Sequence, residues 1–152
     1  MKTIEQEINQ KKFANIYVKS HINILFTSSW LDNYFSKFFK KHGLSHQQYN
    51  VLRILRGQHP KPVMLNQISE RMIDKMSNAT RLVEKLKQKE LVTREINQNN
   101  RRQVDINITE SGLKLLADLD ILINEEEAPP HFKNVTPEEL HLLNNILDKI
   151  RN

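Results

Sequence analysis

The chain has 152 residues, no cysteine and a formal net charge of +5. This length suits one compact domain with helical extensions, and the lack of cysteine excludes disulfides, thiolate zinc ligands and cysteine redox sensing. The charge is uneven, because residues 1–49 carry +4, residues 50–110 carry +5 and residues 111–152 carry −4. A basic middle region is what phosphate-backbone binding requires, although a solvated basic surface explains the same charge.

The sequence predicts neither a membrane span nor a secretory leader. The longest uncharged stretch with apolar character, residues 20–31, is too short and too polar to cross a bilayer. Residues 1–10 contain two glutamates and no apolar core, so we expect no signal peptide. We therefore expect a cytoplasmic protein.

The first predicted element is a long helix over residues 5–42. Leu31, Tyr34, Phe35 and Phe38 share one helical face, and Gly43 can end the helix in a left-handed conformation. The helix has more apolar surface than a small domain can cover, with further side chains at Phe13, Ile16, Ile24, Phe26, Trp30 and Phe39. We therefore expect a homodimer, the alternative being a helix wrapped by its own domain.

A second helix is predicted to begin after Ser45, which can form a capping box with Gln48. It ends near Gly57, and Pro60 and Pro62 keep the next segment extended. A short helix over residues 66–73, a tight connection at 74–76 and a helix over 78–89 follow, with Ser77 as the cap. Two helices joined by a turn of three or four residues indicate a helix-turn-helix.

A β-hairpin follows directly. Val104, Ile106 and Ile108 alternate with polar residues, which predicts a half-buried strand, and residues 91–96 are its expected partner. Residues 97–100 have the composition of a turn. A hairpin at this place after the second helix of a helix-turn-helix is a wing.

Two helices are predicted at the C-terminal end. Thr109 opens a helix to about residue 126, and residues 128–130 break it. Thr136, Pro137 and the acids after them form a strong start signal for the last helix. Its apolar face consists of Leu140, Leu143, Leu147 and Ile150. We expect these helices to complete a dimerisation region.

Helix 78–89 has one apolar and one polar side at 100° per residue, the apolar side holding Ala79, Leu82, Val83 and Leu86. We define the recognition face as the opposite side, which holds Ser77, Arg81, Glu84 and Gln88, flanked by Thr80 and Lys85. These groups contact base edges and phosphates in a major groove. An ordinary amphipathic surface helix is the alternative.

Within this set, Arg81 is the first candidate for a base or phosphate contact. Ser77, Asn78 and Thr80 lie at the helix N-terminus, where free backbone N–H groups favour phosphate. Glu84 either accepts from a cytosine or orients Arg81 or Lys87.

Arg101 and Arg102 lie at the descending edge of the wing. Neighbouring side chains on a strand point in opposite directions. We expect one arginine in a narrow minor groove, and the other against an acid, for which the candidates are Asp74, Glu95 and Asp105. The alternative is a pair of solvated loop charges.

Three segments together resemble the MarR family of regulators: residues 44–55 (LSHQQYNVLRIL), residues 71–86 (RMIDKMSNATRLVEKL), and residues 100–112, which begin NRRQV and end ITESG. Their variants are similar to members from Bacteroidetes. The resemblance implies a mainly α fold with a small β-hairpin, in which a winged helix-turn-helix domain (44–110) is flanked by dimerisation helices (1–43 and 111–152). It also implies a homodimer on double-stranded, pseudo-palindromic operator DNA, commonly a repressor relieved by phenolic or other aromatic ligands, metal or oxidation.

The chain departs from the family pattern at two positions. Asn100 replaces the usual wing aspartate, which predicts a looser wing. Glu90 replaces the usual glycine after the recognition helix, and because a glutamate is strained at positive φ, we expect this helix to end differently.

The resemblance places an effector site between the first two helices and the dimer interface. The candidate residues are aromatic walls with one cation, namely Trp30, Tyr34, Phe38, Tyr49 and Arg53. Plain core packing explains the same residues.

No cofactor, metal site or enzyme activity is predicted, although a zinc sensor is an alternative. His42 and His46 are four residues apart, but the helix break between them prevents a shared face. Three scattered glycines provide no phosphate-binding loop, and no nucleophile is paired with a base. A winged-helix adaptor that binds protein instead of DNA remains the alternative function.

Overall fold

The computed structural model describes residues 2–97, 100, 103–124 and 130–152. Its elements in chain order are α1 (Ile4–Glu7), α2 (Ile16–Lys41), α3 (His46–Arg56), β1 (Val63–Met64), α4 (Leu65–Arg71), α5 (Ala79–Gln88), β2 (Val92–Ile96), β3 (Val104–Ile108), α6 (Glu110–Asn124), a short 3-10 turn (Pro130–Phe132) and α7 (Pro137–Arg151). The predicted fold class, mainly helical with a small hairpin behind a helix-turn-helix, is confirmed.

The predicted long N-terminal helix is wrong at its start, because the chain forms two helices there. Asn9 takes a left-handed conformation with φ of 54°, and the side chain of Asn15 accepts from the Val18 N–H to begin α2. Lys19 then pairs with Glu5 at 2.7 Å, which ties α1 to α2. Asparagine tolerates the left-handed region and caps helices. The spacing of apolar residues, from which the single long helix was predicted, gives no indication of this break.

The hairpin has a third strand that the sequence did not reveal. The order is β1-β3-β2, all antiparallel, with Val63 opposite Ile106 and Val92 opposite Ile108. β1 has only two residues, which is too short for an alternating pattern, and the two prolines before it predicted only an extended chain.

The core lies between α3, α5, α6 and the sheet. Its fully buried side chains include Val51, Leu52, Leu55, Ile68, Val83, Leu86, Ile106, Leu116 and Leu119. The capping box of Ser45 and Gln48 starts α3 as predicted, and Thr136 with Glu139 does the same for α7. This core holds α5 against the body of the protein, so the opposite side of α5 faces away from the core.

The end of α5 corrects the expectation about Glu90. Glu90 has φ of 58°, and the Leu91 N–H reaches back to the Leu86 carbonyl at 3.1 Å. The backbone thus takes the left-handed ending that a glycine would take, in spite of the glutamate Cβ, and the prediction that the helix ends differently is wrong. Upstream, Gly43 has φ of 71° after α2, which confirms its predicted role.

Replacing Glu90 with glycine is therefore expected to stabilise the protein. It removes a left-handed cost of about 1–2 kcal/mol and adds a backbone-entropy cost of about 0.5–1 kcal/mol, for a net gain of about 0.5–1 kcal/mol. Denaturant unfolding at fixed protein concentration measures the change. Lys87→Gly is the matched control, because Lys87 is exposed in the last turn of α5 and its replacement by glycine should lower stability. A loss in Glu90→Gly would contradict this account of the helix end.

Large apolar surfaces remain uncovered on α2, α6 and α7. Among the described residues of these helices, α2 has one buried side chain, Phe39, and α7 has none. The exposed apolar side chains there are Ile16, Tyr17, Val18, Ile24, Leu25, Trp30, Tyr34, Ile121, Leu122, Leu142, Leu143, Ile146 and Ile150. Within the described part of the chain, no helix combines the length and apolar character needed to cross a membrane.

Candidate nucleic-acid interface

Helix α5 begins one residue later than predicted. The Asn78 carboxamide accepts from the Arg81 N–H at 3.0 Å and is the cap. Ser77, the predicted cap, instead donates its hydroxyl to Asp74 at 2.8 Å. Serine and asparagine cap helices almost equally well, so the sequence left this one-residue choice open.

The turn between α4 and α5 spans residues 72–78 and is longer than predicted. Asp74 organises it, because its carboxylate accepts from the Met76 N–H at 2.9 Å and from the Ser77 hydroxyl. The Ile73 N–H donates to the Asn50 side chain on α3 at 3.0 Å. The turn is thus fixed both internally and to the core, and this fixes the start of α5.

The recognition face is exposed, as its pattern predicted. Thr80, Arg81, Glu84, Lys85 and Gln88 are exposed, and so is Asn78, while Ser77 is half-buried. On the opposite side Ala79, Val83 and Leu86 are buried and Leu82 is half-buried. Helix α5 therefore presents its polar groups outward from a packed base.

A shallow depression of about 290 Å³ lies beside this face. It is lined by Gln47, Ser77, Asn78, Arg81, Leu82 and Lys85. Gln47 comes from the first turn of α3, and sequence reasoning missed it because nothing local links α3 to α5. The packing of α3 against α5 brings this amide beside Arg81 and extends the polar surface.

The two charged side chains at the centre of the recognition face differ in their partners. Among the residues that the structure describes, the Arg81 guanidinium has neither an ion pair nor a hydrogen bond. Glu84 lies 3.9 Å from Arg94 on β2. Among the described residues, the ion-pair partner of Glu84 is thus Arg94, and neither Arg81 nor Lys87, which was one of the two alternatives for Glu84. Arg94, which the sequence analysis missed, joins the surface from the wing.

The stem of the wing is closed by asparagines. The Asn97 carboxamide donates to both Asp105 oxygens, at 2.9 and 3.1 Å. The Asn97 N–H donates to the Gln103 carbonyl at 3.0 Å, and the Asn100 N–H donates to the Asn97 side chain at 2.8 Å. Arg101 and Arg102 lie outside the described residues, so their minor-groove role and the looser wing stay predictions.

The predicted effector residues lie along one array of rings. Trp30 stacks on Tyr34 at 5.8 Å between ring centroids, and Tyr34 meets Phe35 edge-on at 5.4 Å. Phe38 packs against Phe39 at 5.2 Å. Two residues that the prediction left out, Phe35 and Phe39, join its members into this array.

Arg53, the cation at the far end of the array, already has partners. Phe39 stacks on Tyr49 at 4.2 Å, and Arg53 donates to the Tyr49 hydroxyl at 2.9 Å. Asp120 on α6 lies 3.5 Å from Arg53 and 2.6 Å from Arg56. An acidic ligand at Arg53 would therefore compete with Asp120.

His131 covers the other end of the array. Its ring lies 5.1 Å from Tyr34, 5.8 Å from Phe35 and 6.1 Å from Trp30. Its Nδ1 is buried without a hydrogen-bond partner among the described residues, and burial lowers the pKa of His131 below its usual value of 6.5. The unprotonated ring is thus favoured in the folded protein.

We expect His131 to make folding less favourable in acid. As the pH falls below 6.5, the unfolded chain takes up a proton that the folded ring resists. The free energy of unfolding therefore decreases as the pH is lowered. Thermal unfolding at pH 7.5 and 5.5 should show a larger loss in the wild type than in His131→Phe, which keeps an aromatic ring and does not titrate. Equal losses in both proteins would contradict this role for the ring.

No group of three potential metal ligands occurs within the described residues. His46 lies 3.0 Å from Asp32 and packs on Phe35 and Phe39. His42 packs instead on Phe38. The two histidines thus have different surroundings.

Comparisons with known proteins cover both the domain and the whole fold. The MarR family model matches residues 44–104. Over 89 residues the chain is 34% identical to the HTH-type transcriptional regulator MhqR of Bacillus subtilis, covering 59% of this chain and 60% of that one. The chain thus spans less than two thirds of MhqR.

Solved structures match over almost the full length. A MarR transcription factor from Planctomyces limnophilus is 30% identical, with a TM-score of 0.67 over 90% of this chain and 98% of that one. A mutant MarR from E. coli complexed with operator DNA is 19% identical, with a TM-score of 0.73 over 98% and 99% of the two chains; at this identity the likeness concerns the fold. The motifs, the fold and the match to the Planctomyces limnophilus protein together show that the chain belongs to the MarR family of transcription regulators.

Proposed function

We propose that this protein is a ligand-responsive repressor that binds a pseudo-palindromic operator as a homodimer. The observation that carries the proposal is the exposed recognition face of α5, where Arg81 has no partner among the described residues. A guanidinium without an internal partner loses no protein contact when it binds a guanine edge or a phosphate. The operator complex of the E. coli relative, which has the same fold, supports this assignment.

The contacts are divided between α5 and the wing. Arg81, Glu84, Lys85 and Gln88 face the major groove, and Ser77, Asn78 and Thr80 approach phosphates at the start of the helix. Arg101 and Arg102 extend the contact to the neighbouring minor groove. Gln47 and Arg94 join this surface on the basis of their positions beside α5.

The partner in the dimer is a second copy of the chain. The uncovered apolar faces of α2, α6 and α7 support this, because one protomer leaves many of their large apolar side chains exposed and large exposed apolar patches mark interfaces. We propose residues 1–43 and 111–152 as dimerisation regions around the DNA-binding region 44–110. We assign no catalytic step, and we place the protein in the cytoplasm.

The effector is a small aromatic acid bound along the array from Trp30 to Arg53. Tyr34, Phe38 and Tyr49 supply ring faces, and Arg53 supplies the cation. Because Arg53 and Arg56 contact Asp120 on α6, a carboxylate at Arg53 would weaken the link between α3 and α6. This link joins the DNA-binding region to a dimerisation helix, so its loss offers a route to lower operator affinity.

Salt dependence of binding tests the proposal. A duplex enriched from a random pool by the wild-type protein is labelled, and its affinity is compared with that of a scrambled duplex between about 50 and 200 mM salt. A regulator with about 6–10 phosphate contacts loses about 10³–10⁵ in affinity over this range. Failure to enrich any sequence, or binding insensitive to salt, would contradict operator binding and favour a protein-binding adaptor.

A further inference from the structure

Two large apolar side chains are exposed in the turn that leads into α5. Ile73 is 78% exposed and Met76 is 93% exposed. Single exposed apolar residues are ordinary, but this pair occupies a turn that is otherwise rich in polar groups and lies immediately before the recognition face. Met76 is three residues from Ala79, the first residue of α5.

The turn holds Met76 outward by its backbone. The Met76 N–H donates to the Asp74 carboxylate, and the Ser77 N–H donates to the Asp74 carbonyl at 3.2 Å. Ile73 is held to α3 through Asn50. The backbone at Met76 is thus fixed, while its side chain touches almost nothing in the protomer.

The charges around this side chain select its partner. Lys75 precedes it, and Arg81 and Lys85 lie on the exposed side of the following helix. The two acids of this stretch already have partners, because Asp74 accepts from the Met76 N–H and the Ser77 hydroxyl and Glu84 pairs with Arg94. An apolar tip within a basic surface suits duplex DNA better than an apolar protein groove, because a phosphate backbone neutralises the cations. In a helix-turn-helix the N-terminal end of the second helix reaches the base edges, so Met76 is carried into the groove with it.

We propose that Met76 contacts the C5-methyl group of a thymine in each half-site of the operator. This inference rests on the proposed function and adds a sequence preference to it. Thymine is the one base that presents a methyl group in the major groove, and apolar side chains recognise it by contact. Methionine suits this contact because its unbranched thioether adapts to an irregular surface.

The size of the effect follows from the area involved. Covering one methyl-sized group corresponds to about a fourfold change in affinity. A symmetric dimer makes the contact twice, so loss of both gives about a 15-fold change. This is smaller than the effect of a bidentate arginine, so Met76 adjusts the choice of sequence within a site that other residues define.

The test removes the methyl groups of one symmetric pair of thymines at a time. The probe is the duplex that the wild-type protein enriches from a random pool, together with copies in which deoxyuridine replaces thymine at one symmetric pair of positions. Affinities are measured for the wild type, Met76→Gln, which is nearly isosteric but polar, and Met76→Leu, which stays apolar. Since the side chain is 93% exposed, the three proteins should share one thermal unfolding midpoint.

For one pair of thymines, we expect the replacement to weaken binding by the wild type and by Met76→Leu by about 15-fold. The affinity of Met76→Gln should be almost unchanged by the same replacement. If every replacement affects the wild type and Met76→Gln equally, or the enriched half-site contains no thymine, the methyl contact is overturned while operator binding stands. If the wild type enriches no sequence at all, the proposed function fails as well.

Discussion

Replacing Arg81 with alanine is expected to weaken specific operator binding by about 1–3 kcal/mol for each half-site, if the guanidinium makes a bidentate contact with a base. The side chain is exposed and has no internal partner among the described residues, so the thermal unfolding midpoint should not change. Binding to a scrambled duplex should weaken much less, because it loses only a charge interaction with phosphate.

Two variants separate shape from charge at this position. Arg81→Lys keeps the charge but lacks the planar fork of donors, so it should recover nonspecific binding and little of the specific binding. Lys114→Ala removes the charge of an exposed side chain on α6 and should leave specificity intact. If Arg81→Ala combined with Arg102→Ala left operator binding unchanged, α5 and the wing would not be the DNA-reading elements.

Replacing Gly112 with alanine is expected to cost about 1–3 kcal/mol of stability through overpacking. A Cβ at Gly112 would lie 2.4 Å from the Leu91 carbonyl oxygen and 2.8 Å from Cγ1 of Ile108. Backbone and sheet would both have to move, because α6 packs there against the start of β2 and the end of β3.

A loss of stability in Gly112→Ala distinguishes the close contact from helix propensity. Helix propensity alone predicts that glycine to alanine stabilises a helix by about 1 kcal/mol, so a loss of stability isolates the close contact. Ser111→Ala, at the exposed neighbouring position, is the control and should change stability by less than about 0.5 kcal/mol. Unfolding must be compared at one protein concentration, since dimer stability depends on it. A more stable Gly112→Ala would contradict the packing of α6 on the sheet.

The elements with strong local signals were predictable from the sequence. The capping boxes at Ser45 and Thr136 involve residues three apart, and the alternation around Ile106 identified β3. The amphipathic pattern of α5 also predicted which of its sides is exposed, because burial there follows a simple helical period.

Features that depend on long-range packing were not predictable. Strand β1 exists because Val63 pairs with Ile106, 43 residues away in a sequence that gives no sign of the pairing. The depression beside α5 includes Gln47 because α3 packs on α5, and Glu84 pairs with Arg94 because the sheet returns beside the helix. The conformation of Glu90 shows that the surrounding fold can impose a strained ending on a residue that disfavours it.

We propose that two copies of α5 enter successive major grooves of one operator. Hydroxyl-radical footprinting on the enriched duplex tests it most directly. We expect two protected half-sites related by symmetry, with centres about 10–10.5 base pairs apart or a multiple of that spacing, and loss of both in Arg81→Ala. A single protected segment, protection without that spacing, or the same footprint in Arg81→Ala would contradict the account.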